Sequence, residues 1–265
     1  MATPQAAQSP LLLVDRQGGV VTLTLNRPDQ YNALSTELLD ALHDALTTLD
    51  QDLDVRCVVI AGAGRAFCAG HDLKQMRANP DRAYYLDLFT RCGRVMQDIV
   101  NLPVPVIAKV HGTATAAGCQ LVASCDLAIA ADTARFAVSG INVGLFCSTP
   151  AVALTRTMPI KKAFEMLVTG EFIDAHDAVA NGLINHAVPA DQLDARVQQL
   201  VDTIVAKSPV VVRTGKAMYK RQATMALYEA YEFASDVMAG NMMSEDAGEG
   251  IDAFIQKRKP TWTGR

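Results

Sequence analysis

The sequence predicts an α/β fold, and three observations carry that prediction. Short β-branched or alternating apolar runs take turns with segments of helical period through the first 150 or so residues, the order that builds βαβ crossovers. Half of the 265 residues are apolar, enough for a sizeable core. Two stretches of small residues, Gly62 to Asp72 and Thr113 to Asp126, each follow an apolar run of strand length. Small residues there let backbone approach backbone or ligand closely.

In chain order, residues 11–15 and 20–25 flank Gln17-Gly18-Gly19 and predict a β-hairpin. Ser35 is a good N-cap. After it Leu38, Leu39, Leu42, Leu46 and Leu49 recur at helical spacing. Residues 56–61 form a continuous apolar run that predicts a buried strand leading into the first small-residue loop. The segment 81–102 carries Tyr84, Tyr85, Leu88, Val95, Met96 and Ile99 at helical offsets, and Pro103 and Pro105 stop it. A strand over 106–110 enters the second loop, and short strands are expected over 126–131 and 135–138. From Pro150 onward the pattern is helical, over 151–158, 161–169, 174–181, 190–206, 210–239 and 246–257, broken by Gly170, Gly182, Pro189, Pro209 and Gly240. Within that region 183–188 alone reads as extended.

A net charge of −4 with 20% charged residues points neither to a nucleic-acid surface nor to a disordered acidic chain. Six cysteines without a CxxC spacing read as reduced, partly buried thiols, and no metal site is expected. Residues 1–10 carry neither a basic segment nor an apolar one, and no apolar run reaches membrane-span length. A cytoplasmic protein is the expectation.

The second loop passes into Gln120-Leu121-Val122-Ala123 without a breaker, so Ala117 and Gly118 stand at a helix start with unpaired N–H groups. Two such loops can aim two N–H donors at one oxygen, the construction of an oxyanion hole.

These loops resemble those of the crotonase (enoyl-CoA hydratase/isomerase) superfamily. Ala66-Phe67-Cys68-Ala69-Gly70-His71-Asp72 is similar to its Ala-Phe-x-Ala-Gly-x-Asp loop. Gly112 to Gln120 is similar to its Gly-x-x-x-Gly-Gly-Gly-x-Glu helix start, and the similarity runs from Asn26-Arg27-Pro28 to Lys259-Pro260. Within the superfamily, Gly70-His71-Asp72-Leu73-Lys74, Ala116 to Leu121 and Gly144 to Pro150 resemble the animal enoyl-CoA hydratase-domain-containing proteins.

The resemblance implies a crotonase (ClpP-like) fold: a spiral of repeated ββα units over residues 1–200, with a C-terminal helical trimerisation region over 201–265. It implies a homotrimer or dimer of trimers, binding neither nucleic acid nor membrane. Coenzyme A would arrive as part of an acyl-CoA substrate, and no cofactor would be permanently bound. His71 and Ala117 would supply the oxyanion N–H groups. The two hydratase glutamates would fall at Gln120 and Gly140. A glutamine amide cannot exchange a proton at neutral pH, and glycine offers nothing, so the pattern asks for another proton relay.

His71 is one candidate for that relay, with an ordinary pKa suited to proton transfer. Asn142 and Cys147 flank the second position; each is more often a packed or capping group, Cys147 a small buried hydrophobe. Asp72 reads as a loop brace. For coenzyme A the resemblance implies Gln30 and Tyr31 near the adenine, and Ala69, His71, Asp72 and Leu73 along the arm. Lys74 and the tail that begins at Lys257 are the cations available for phosphates. An acyl pocket would include Met76, Tyr84, Leu88 and Phe146. The open readings are hydratase-type chemistry, decarboxylation or thioester hydrolysis, and a non-catalytic acyl-CoA binder.

Overall fold

The computed structural model describes residues 9–265. Segment 1–8, on which most of the reading of 1–10 falls, lies outside the described residues. The chain opens with β1 (Leu12–Gln17) and β2 (Val20–Leu25), an antiparallel hairpin that closes with Gln17 opposite Val20. Gly18 supplies its turn with a φ of +59°. The Ser35 side chain accepts from Leu38 N at 3.3 Å and caps α1 (Thr36–Asp50), whose five predicted leucines are all buried.

Next come β3 (Cys57–Gly62), β4 (Ala66–Cys68), α2 (Leu73–Ala78) and α3 (Arg82–Asn101). They are followed by β5 (Val106–Val110), β6 (Thr113–Thr115), α4 (Ala117–Ser124), β7 (Leu127–Ala131) and β8 (Arg135–Ala137). The short strands β4 and β6 sit inside the two stretches that sequence pattern gives only as loops. Each repeat therefore places one strand in each of two sheets and then turns into helix. The larger sheet runs β1-β2-β3-β5-β7-β10, where β10 is His186–Val188; the smaller runs β4-β6-β8-β9, where β9 is Ile173–Asp174. All neighbours are parallel except β1 with β2 and β8 with β9.

Strands β3, β5 and β7 are apolar on both faces because both faces are covered. Val58, Ile60 and Ala108 pack toward α1 and α3, while Cys57, Val59, Ile107 and Ile129 pack under Leu193, Val197 and Val201 of α8 (Leu193–Val205). The later chain adds α5 (Ser148–Leu154), α6 (Ile160–Thr169), α7 (Ala175–Ala180), α9 (Pro209–Gln222), α10 (Leu227–Met242) and α11 (Glu245–Ile255).

The single helix that the sequence predicts over 210–239 is two, α9 and α10, parted at residues 223–226 with no glycine or proline between them. Tertiary contact overrides local propensity here, since the turn brings the Arg221 guanidinium 4.5 Å over the Phe233 ring. The segment 190–206 likewise starts as a 3-10 turn, Ala190–Gln192, before α8. Helix α9 is tied to the strand layer by Lys216, whose Nζ donates to Val104 O at 2.9 Å and to Asp126 Oδ2 at 2.6 Å.

Candidate active site

The first loop is held by a segment that sequence pattern leaves as a turn. Tyr31 and Asn32 adopt left-handed conformations, with φ of 52° and 56°. Asn32 is fully buried; its Nδ2 donates to Ala63 O and Ala66 O at 2.8 Å and its Oδ1 accepts from Arg27 N at 2.9 Å. Ala69 N donates to Tyr31 O at 3.0 Å, Leu34 N to Gly70 O at 2.7 Å and Asp72 N to Leu34 O at 3.1 Å. These bonds stitch the loop on either side of His71 and use neither its N–H nor its ring.

Asp72 then starts α2, accepting from Lys74 N at 3.1 Å and Gln75 N at 3.2 Å, and pairs with Arg27 at 2.9 Å. Burial alone would push the Asp72 carboxyl up, but Arg27 and the two N–H groups outweigh it and hold it below its ordinary value. It is the brace that the sequence suggests.

The second loop runs from β6 into α4 through Ala116, which takes the strained conformation φ 51°, ψ −120° while its N–H donates to Ala137 O at 2.9 Å. Helix α4 lies directly on β4: a Cβ on Gly118 would stand 2.1 Å from Cys68 O. The two loops touch as well. A Cβ on Gly70 would lie 2.9 Å from Ala116 Cβ and 3.3 Å from Ala117 N. Among the described residues, neither the His71 nor the Ala117 N–H donates to a backbone carbonyl.

Both residues line a cavity of about 260 Å³, with Ala69, Leu73, Gly140 and Cys147. His71 meets Phe89 edge-on at 5.3 Å, its Nε2 is buried without a partner, and burial pushes its pKa down to about 4. Burial pushes the Cys147 thiol up, against the opposing effect of the Gly140 N–H, so the thiol is protonated at neutral pH. Gly140 has no room for a side chain: a Cβ would stand 2.5 Å from Leu145 O and 2.7 Å from Cys147 Sγ.

Other predicted residues lie apart. Gln120 is 4% exposed, with Oε1 buried and unpartnered, and does not line the cavity. Asn142 does not line the cavity; its Nδ2 donates to Gly170 O at 3.4 Å. Of the expected acyl pocket, Met76 and Phe146 line the cavity and Leu88 is in the core. Tyr84 is outside the cavity, its Oη buried without a partner. The helical period of α3 turns Leu88 inward and leaves the next residue, Phe89, for the cavity.

Of the coenzyme A candidates, Gln30 and Lys74 are exposed and outside the cavity lining, while Tyr31 is 42% exposed with the Arg65 guanidinium 4.3 Å over its ring. Arg65 lies within the first small-residue loop, and sequence pattern gives it no role. Lys257, with a φ of 54°, lies just beyond the end of α11, which packs on α9 and α10, and is not at the cavity. The described residues contain no cluster of three or more His, Cys, Asp or Glu arranged to hold a metal ion, and no helix long and apolar enough to cross a membrane.

A family model described as enoyl-CoA hydratase/isomerase matches residues 15–265. The enoyl-CoA hydratase domain-containing protein 3, mitochondrial, of Xenopus laevis is 45% identical over 255 residues, 96% of this chain and 87% of that protein. The crystal structure of an enoyl-CoA hydratase from Mycobacterium smegmatis is 58% identical, covers 96% of this chain and 99% of its own, and superposes with a TM-score of 0.95. That of human enoyl coenzyme A hydratase domain-containing protein 3 is 43% identical over 96% of this chain and all of its own, with a TM-score of 0.93.

The cytoplasmic expectation is corrected by these relatives, since those of Xenopus, mouse and human are named mitochondrial. Compartment is read from targeting segments that leave no mark on a folded domain, so the pattern of this chain was a poor guide to it. The paired loops, the two-sheet repeat with its helical surround and a family match along nearly the whole chain agree, and the chain belongs to the enoyl-CoA hydratase/isomerase family, in the crotonase superfamily.

Proposed function

We propose that the chain is an acyl-CoA thioester enzyme of hydratase/isomerase type, in which the backbone N–H groups of His71 and Ala117 hold the thioester oxygen. The observation that supports this reading is the contact between the two loops, which brings the His71 and Ala117 residues to one cavity while neither N–H donates to a backbone carbonyl among the described residues. When water adds to the β-carbon of an enoyl thioester, the electron pair of the double bond moves toward the thioester oxygen. Prepositioned donors stabilise that charge without reorganising, and losing one typically costs about 100-fold or more in rate. Coenzyme A enters as part of the substrate, its arm along Ala69 and Leu73, with Tyr31, Arg65 and Lys74 outside the cavity as contacts for the nucleotide end.

The proton relay is atypical. The Gln120 carboxamide is neither acid nor base at neutral pH and Gly140 carries no side chain, while the His71 imidazole is neutral and the Cys147 thiol protonated. Water confined in the cavity is the proton carrier that this leaves. The same facts favour a second reading, a non-catalytic acyl-CoA binder that retains the thioester site.

A continuous assay with crotonyl-CoA and longer enoyl-CoAs, beside calorimetric titration of a saturated acyl-CoA, separates the two. Turnover that falls about 100-fold in Ala117→Pro, which removes one N–H, is the expected result. Binding without turnover of any enoyl-CoA leaves the binder, and no binding removes both.

We also propose that residues 201–265 form an assembly region for a homotrimer or dimer of trimers. What supports this is the apolar surface of α10 and α11, where Tyr228, Met238, Phe254 and Ile255 are each about 70% exposed or more.

A further inference from the structure

We propose that Cys147 captures enoyl-CoA covalently, its thiol adding across the double bond to leave a thioether between the chain and the acyl group. This rests on the acyl-CoA reading above and gives the cavity an activity apart from hydration. The position of the sulfur carries it. Gly140 is where the family resemblance puts the second hydratase glutamate, and a Cβ there would stand 2.7 Å from Cys147 Sγ. The sulfur therefore stands where the side chain of a hydratase acid–base group would begin.

The thiol does not stand alone. Cys147 shares the cavity lining with His71 and Ala117, whose backbone N–H groups donate to no backbone carbonyl among the described residues. The His71 Nε2 is buried without a partner. Cys68 and Cys119, by contrast, are fully buried and outside the lining. Leu145 and Phe146 are 43% and 42% exposed while Cys147, the next residue, is 7% exposed. The wall is thus open to an entering chain, and the thiol itself is shielded from bulk water.

An α,β-unsaturated thioester is a soft electrophile at its β-carbon, and sulfur is a soft, polarizable nucleophile. Two N–H groups that hold the thioester oxygen draw the double-bond electrons toward it, which activates the β-carbon toward sulfur as it does toward water. As the S–Cβ bond forms, the π electron pair moves into the thioester enolate. The thiol proton leaves and returns at the α-carbon, carried by cavity water beside the neutral His71 imidazole. One S–H bond and one C=C π bond are lost, and one S–C and one C–H bond are gained. Nothing is oxidised, and the thioester to coenzyme A stays intact.

Burial raises the Cys147 thiol, so its thiolate is scarce, although the sulfur that does ionise is the more nucleophilic for it. Capture is therefore slow and stops at one adduct per chain. That separates it from turnover.

The test is to incubate the full chain with excess crotonyl-CoA, quench in acid and weigh the intact protein by mass spectrometry. The expected gain is the mass of one crotonyl-CoA, mapped to the tryptic peptide 136–156, in which Cys147 is the one cysteine. Excess butyryl-CoA, which has no double bond to attack, should slow the labelling by about tenfold or more through simple occupancy. Cys147→Ser should take no adduct.

No adduct on a wild-type chain that binds butyryl-CoA in calorimetric titration overturns the proposal and leaves the acyl-CoA reading standing. Labelling that spreads over other cysteines, persists in Cys147→Ser or is not slowed by bound butyryl-CoA is ordinary thiol reactivity, and overturns it too. If butyryl-CoA does not bind, the acyl-CoA reading falls and the proposal falls with it.

Discussion

At Gly140 the family pattern and the geometry lead to opposite expectations. On the pattern, placing glutamates at 120 and 140 should raise crotonyl-CoA hydration. In the structure, the Leu145 carbonyl and the Cys147 thiol already occupy the room that a side chain at 140 would need. Gly140→Glu should therefore lose about 2 kcal/mol of stability, and the double variant with Gln120→Glu should gain no hydratase turnover. Thermal melting and the crotonyl-CoA assay check the two halves of that statement.

His71 gives a pH prediction. The unfolded chain binds a proton there near the ordinary value of 6.5, the folded chain only near 4, so the unfolded state holds more protons between those values. Stability should fall as pH drops from 6.5 toward 4, by up to about 3 kcal/mol. His71→Phe should flatten that part of a denaturant-melting series, and an unchanged slope would show that the imidazole protonates freely in the fold.

At the scale of elements, the site is a contact between α4 and β4. Gly118 permits it, and Gly118→Ala would drive a methyl group into the Cys68 carbonyl. That variant should lose about 2 to 3 kcal/mol and most of its acyl-CoA binding, since α4 cannot retreat without moving the Ala117 N–H.

The brace on the other loop is the Arg27–Asp72 pair, with side chains 14% and 16% exposed. Arg27→Met strands a partly buried carboxylate and should cost about 2 kcal/mol in a chemical-denaturation measurement. Asp72→Asn with Arg27→Met should recover part of that loss, because the stranded charge is gone.

Sequence pattern found the helix start and the small residues at these elements. It did not find β4 or β6, three-residue strands whose pairing is set by neighbours far along the chain. Nor did it give the Arg27–Asp72 pair, which joins positions 45 residues apart.

For the whole molecule, the exposed apolar faces of α10 and α11 are the surface on which the proposed assembly rests. Phe254→Glu, at a side chain 85% exposed, should leave the isolated chain folded while shifting the mass seen by light scattering from a trimer or hexamer toward monomer. An unchanged mass would place the assembly surface elsewhere.

The sequence by itself determined the α/β class, the five buried leucines of α1, the hairpin at Gly18 and the two small-residue loops. All of these are local: a helical period, a turn residue or a run of small side chains carries its meaning within a few positions. It also carried the family, because motif wording extends along nearly the whole chain.

Only the tertiary structure decided which candidates meet. Gln120 and Asn142 are set outside the cavity while Phe89 and Leu145 enter it, and His71 is held neutral. It decided too that α9 and α10 part at 223–226 with no breaker residue between them. Burial and the loss of water around a group depend on everything packed against it, which no window of sequence contains.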